Sequence, residues 1–132
     1  MFAQDLFTFL STAGTSAGSR IYPQQLPQLA TLPAIRYLEV SDPPEHTHSG
    51  RSSLRHPRYQ LDCFDQDSES HDGYLGARAL AAEVVAALDG YKGPMGSTTC
   101  YAGFQENSQD SFDPETNRHW VIVDFEIWHK EA

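Results

Sequence analysis

A chain of 132 residues, 39% of them hydrophobic and 20% charged, has the size and composition of one folded globule rather than a disordered segment. Eighteen acidic residues against nine basic ones leave a net charge of −9, a sign that repels phosphate backbones and argues against sequence-independent clamping of DNA or RNA. A protein of that charge can still surround DNA without gripping it. No apolar run reaches the roughly 20 residues that cross a bilayer. Asp5 stands where an export signal carries basic residues, so assembly in the cytoplasm with no membrane partner is expected.

Phe2, Leu6, Phe9 and Leu10 share one helical face, which predicts a short helix ending before the stretch from Gly14 to Gly18. Pro23, Pro27 and Pro33 then remove backbone donors and fix φ, so an ordered but irregular linker follows. Ala34 to Val40 reads as a strand. A second runs from Leu54 to Phe64, where Tyr59, Leu61 and Cys63 alternate with Arg58, Gln60 and Asp62. Pro57 sets its early part at an edge, a bulge or a later start. Between them, residues 42–51 lack an apolar anchor and read as a mobile loop, near 41–53 at its widest.

The strongest helical pattern spans about His71 to Asp89, with Ser68 or Ser70 as the expected cap and Gly90 as the stop. Ala77, Leu80, Ala81, Val84 and Leu88 form the face that packs on a sheet. Leu75, Ala79, Ala82 and Ala86 lie opposite, where small side chains permit close approach by another helix. Alanine is also the best helix former, so that stripe has a second explanation. Ser97 to Phe104 is a third strand. His119 to His129 is a fourth, with Val121, Val123, Phe125 and Ile127 facing inward. Its other side carries Trp120, Ile122 and Trp128 beside Asp124 and Glu126, too apolar for a face left to water. The polar link Gln105 to Asn117 reads as a second mobile loop. The expected fold is α+β: an antiparallel four-stranded sheet in the order α-β-β-α-β-β, with helices packed mainly on one face.

Chemistry-bearing patterns are missing. His46 and His48 sit in a loop without ligand geometry. Convergence of His56 and His71 with Asp62 and Asp65 is conceivable, but no HExxH or CxxC pattern supports a metal. Cys63 points toward the core, where deprotonation is costly, and Cys100 with His119 is only one pairing among many. Both cysteines are expected as buried free thiols. Asp124 and Glu126 read as a wet strand face rather than an acid–base pair. No catalytic residue, cofactor site or metal site is assigned.

Several segments together carry a resemblance. They are Arg20-Ile21-Tyr22-Pro23, the strand Ile35-Arg36-Tyr37, Tyr59-Gln60-Leu61-Asp62-Cys63-Phe64, the helix from Ala77 to Val84, and Val123-Asp124-Phe125-Glu126-Ile127-Trp128. In this order the chain resembles the phage tail terminator and head–tail joining family, the tail completion proteins. The resemblance implies one tail-terminator-like domain over residues 1–132 and a structural virion protein without enzymatic activity. Its members cap the tail tube as a ring, commonly hexameric, and join it to the head connector protein. The partners implied are a second copy of the chain, the tail tube protein and the head connector, with DNA passing through the lumen without specific binding. Trp120, Ile122 and Trp128, with Leu75, Ala79, Ala82 and Ala86, are the candidate interface residues. Another phage connector or minor tail component, or an acidic cytoplasmic protein-binding module, is the alternative.

Overall fold

In chain order, helix α1 (Phe2–Thr12) leads into β1 (Ile21–Pro23), β2 (Ala34–Ser41) and a ribbon of β3 (His46–Thr47) with β4 (Gly50–Arg51). Then follow β5 (Leu54–Arg55), β6 (Arg58–Gln66), helix α2 (Gly73–Leu88), β7 (Gly93–Met95), β8 (Thr98–Asp113) and β9 (Arg118–Lys130). The computed structural model describes residues 1–44, 46–47, 50–51 and 53–130. The loop expected near 41–53 therefore lies partly outside the described residues.

The expected sheet needs correction. In place of four antiparallel strands in the order α-β-β-α-β-β, a curled seven-stranded mixed sheet runs β1-β2-β6-β9-β8-β7, with β5 also on β9. The added strands are short or polar. Three-residue β1 pairs parallel to β2, Ile21 opposite Ile35, with the proline-rich connection making the crossover. Three-residue β7 carries Gly93 and Pro94, residue types that favour turns over strands. Local pattern carries almost no signal for three-residue strands, whose place in the sheet rests on pairing with a neighbouring strand.

The segment Gln105 to Asn117 is likewise not a loop. Strand β8 continues to Asp113, in register with β9 from Cys100 opposite His129 to Asp113 opposite Arg118. Its polar composition reflects where it lies: residues 104–110 are all exposed, so pairing with β9 rather than burial makes them a strand. Register shifts between Cys100 and Ala102 and between Gln105 and Asn107 bend it. Pro57 breaks the second predicted strand into β5 and β6, and Pro57 O accepts from Ile127 N at 3.0 Å.

Both helices pack on the face of β9 that presents Val121, Val123, Phe125 and Ile127. Leu6 and Leu10 of α1 join Ala77, Leu80, Val84 and Leu88 of α2 in one buried cluster there. The cap of α2 is Asp72 rather than Ser68 or Ser70, its side chain accepting from Leu75 N at 3.1 Å. Ser68 and His71 instead pair with each other in a turn before the helix. Near its end the helix lies so close to β8 that a Cβ at Gly103 would stand 2.6 Å from Leu88 O. Gly90 N donates to Gly103 O at 2.7 Å, tying the helix terminus to the strand edge. Both cysteines are buried and free. Cys63 lies opposite Val121 and Cys100 opposite His129, roughly 25 Å apart along β9 by strand rise.

Candidate assembly surfaces

Because side chains alternate along a strand, the even-numbered residues of β9 face away from both helices. On that outer face the Asp62 carboxylate is fully buried. It accepts from Arg36 through Nε at 2.8 Å and through Nη2, and from Gln60 Nε2 at 3.0 Å. The Arg36 guanidinium also lies 5.1 Å from the centre of the Phe64 ring. Phe64 stacks on Trp120 with ring centres 5.1 Å apart. At the other end of β9, Trp128 stacks on His56 at 4.4 Å, and its Nε1 donates to Glu126 Oε1 at 2.6 Å. Arg58 Nη2 lies 3.4 Å from Asp124 Oδ2. Trp120, Ile122 and Trp128 are thus half-buried, each indole supported by an aromatic neighbour in its own chain.

A second surface lies beside α2. Leu75 is 62% exposed, and Ala79, Ala82 and Ala86 are exposed on the same side of the helix. Between that side and β8 runs an open groove of about 350 Å3 lined by Arg78, Ala82, Val85, Ala86, Gln105 and Ser108, with Val123 among its wall residues. Arg78 Nη1 donates to Asp110 Oδ1 at 3.1 Å, and Tyr74 Oη donates to Asp110 Oδ2 at 3.0 Å, which closes one end. That contact raises the Tyr74 hydroxyl above its ordinary pKa. Tyr101, Phe104 and Phe112 of β8 are about half exposed, Phe112 on this helix side, opposite His119, and Phe104 on the outer face, opposite Glu126. Sequence reading passed over them; Phe112 inside an otherwise polar segment was the available signal. Beyond Cys100, where β7 stops, no strand among the described residues pairs with the outer edge of β8.

The N-terminus of α2 is clamped to the sheet by two histidine–carboxylate contacts. His71 Nε2 lies 2.7 Å from Asp65 Oδ2, and His119 Nε2 lies 3.0 Å from Asp67 Oδ2. Asp67 Oδ1 also accepts from Gly73 N at 2.8 Å. The bond to Asp65 and its charge raise the His71 pKa, while the bonds from His119 and Gly73 hold Asp67 below the usual carboxylate range. Of the residues considered for a metal, His71 and Asp65 meet, whereas Asp62 is on the outer face and His56 is stacked on Trp128. Among the described residues no group of three or more His, Cys, Asp or Glu side chains could hold a metal ion. Cys100 and His119 sit opposite different ends of the β8–β9 pair and do not converge. Burial pushes the Cys63 thiol up, as expected of an inert core cysteine.

A family model described as "Tail completion protein gp17" matches residues 4–130. No curated protein sequence matches the chain. Among solved structures, a chain described as "Virion of native gene transfer agent (GTA) particle" is similar with a TM-score of 0.66 at 12% identity, covering 97% of this chain and 96% of that one. At that identity the likeness concerns the fold.

Proposed function

This chain belongs to the tail completion protein gp17 family, and from that premise we propose that it closes into a ring, a hexamer, on the last ring of the tail tube. The protein is a structural component of the virion tail, acting near the head–tail junction, and not an enzyme. In our reading residues 1–132 act as one tail-terminator-like domain. Its ring stops tube growth, offers the head connector an axial surface and lets DNA pass through the lumen without specific binding. An excess of acidic residues suits that last role, since a wall that repels phosphates does not retain the polymer.

The observation that carries the reading is the distribution of apolar surface. Five of the eight large hydrophobic residues counted as exposed, Tyr74, Leu75, Tyr101, Phe104 and Phe112, belong to α2 and β8. Tyr74, Leu75 and Phe112 lie on the helix side and Phe104 on the outer side, opposite Glu126, so apolar surface of the kind that marks a protein contact gathers along this edge of the sheet. Leu75, Ala79, Ala82 and Ala86 form the helical part of this subunit contact. Trp120, Ile122 and Trp128 offer a second contact on the outer face, to a neighbour or an axial partner. Cyclic closure consumes lateral contacts and leaves axial faces for tube and connector.

The test adds purified protein to tail tubes lacking their terminator. Particle images should show a closed density of six copies at the head-proximal end, with elongation stopped. Tubes that keep growing, or a chain found elsewhere on the particle, would exclude the reading.

A further inference from the structure

We propose that the proline-rich segment Gln24–Pro33 of one copy docks, through Leu29, into the groove between α2 and β8 of a second copy. This rests on the ring reading above and specifies its lateral contact. Leu29 is 94% exposed, the most exposed large apolar residue in the chain, and it sits in a connection that carries no charge. The segment leaves β1 and crosses toward β9, where Arg118 Nη2 donates to Gln28 O at 2.8 Å. Arg118 is in step with the outward-facing residues of β9, whereas the groove opens on the helix side, beside Ala82, Val85 and Ala86. Knob and groove therefore lie on different faces of the sheet. A heterologous contact of this kind generates a ring when its rotation closes.

Charge selects the same occupant. Residues 65–89 hold six acids and one basic residue, Arg78, and residues 104–118 hold four acids and one arginine. Most segments of a second copy would bring further carboxylates to that flank. Residues 6–38 hold Arg20 and Arg36 and no acid at all. The segment is also the right kind of chain for an apolar groove with aromatic neighbours: prolines restrict it before binding, so less entropy is lost on docking. Tyr74 and Phe112 stand exposed on the same helix side of the sheet, near the Asp110 end of the groove.

Full-length Leu29→Cys and Ala86→Cys proteins are to be mixed, allowed to assemble, and oxidised mildly; the buried Cys63 and Cys100 leave wild type as a clean control. The mixture should give a reducible dimer about tenfold more abundant than either variant alone. Leu29→Asp should weaken assembly by about tenfold while leaving the thermal unfolding of the isolated subunit unchanged. Rings that form by native mass without a Leu29–Ala86 cross-link would overturn the docking and leave the ring intact. Wild type that never associates, alone or on tail tubes, would overturn both.

Discussion

The Asp65 carboxylate meets the His71 ring at 2.7 Å in a space that exists because residue 76, one turn into α2, has no side chain. A Cβ at Gly76 would stand 1.9 Å from Asp65 Oδ2 and 2.9 Å from His71 Nε2. Helix propensity alone favours alanine there by about 1 kcal/mol, so the steric demand decides the residue.

Gly76→Ala should therefore destabilise the fold by about 1–3 kcal/mol, the usual cost of overpacking, despite its better propensity. Urea unfolding measures it. The double variant with Asp65→Ala should lose less than the sum of the two single changes, because removing the carboxylate relieves the clash.

The same contact makes stability depend on pH. The folded His71 pKa lies above its ordinary 6.5 because Asp65 hydrogen-bonds and attracts the imidazolium. Its contribution is present in full below the unfolded pKa and is lost as pH rises through the folded value. The stability gap between wild type and His71→Ala should accordingly narrow when unfolding midpoints are compared from pH 6 to pH 9. A gap that widens toward alkaline pH would contradict the assignment.

At the far end of the sheet, Asp5 of α1 is buried and accepts from Ser97 N at 3.1 Å and Thr98 Oγ1 at 2.5 Å. Burial acts to raise its pKa, but these bonds together outweigh it and hold the group below its ordinary 3.8. The stabilisation is present above the unfolded pKa and lost as pH falls through the folded one. Asp5→Ala should cost about 1–3 kcal/mol at neutral pH by leaving donors without an acceptor. The difference from wild type should shrink in acid titrations below the ordinary carboxylate range.

Trp128 and Leu80 should separate assembly from folding. Leu80 is fully buried in the α2 face against the sheet, so Leu80→Ala should cost about 2–5 kcal/mol of subunit stability. Trp128 is half-buried, stacked on His56. Trp128→Ala should reduce ring formation on tail tubes by more than its loss of subunit stability explains. Sedimentation and thermal unfolding, run on both variants, report the two effects separately.

Both helices were legible because each repeats apolar residues at three and four positions, a pattern that local chain geometry imposes before any tertiary contact. The alternation in β6 and β9 was legible for the same reason: the helix-facing side of each carries the apolar core, and the sequence records it. Strands β1, β7 and the distal half of β8 left no such record. They are strands because a partner strand supplies hydrogen bonds, and the distal side chains of β8 are exposed, so polar residues there satisfy a strand as well as a loop. Trp120, Ile122 and Trp128 could be placed on the outward side by parity alone. Their support by Phe64 and His56 could not, since it depends on register between β6 and β9 and on the chain's path at Pro57. Composition set the charge and the acid-free stretch from 6 to 38; only folding set the groove of α2 and β8 and Leu29 on separate faces, because neighbours in space were chosen by packing rather than by order along the chain.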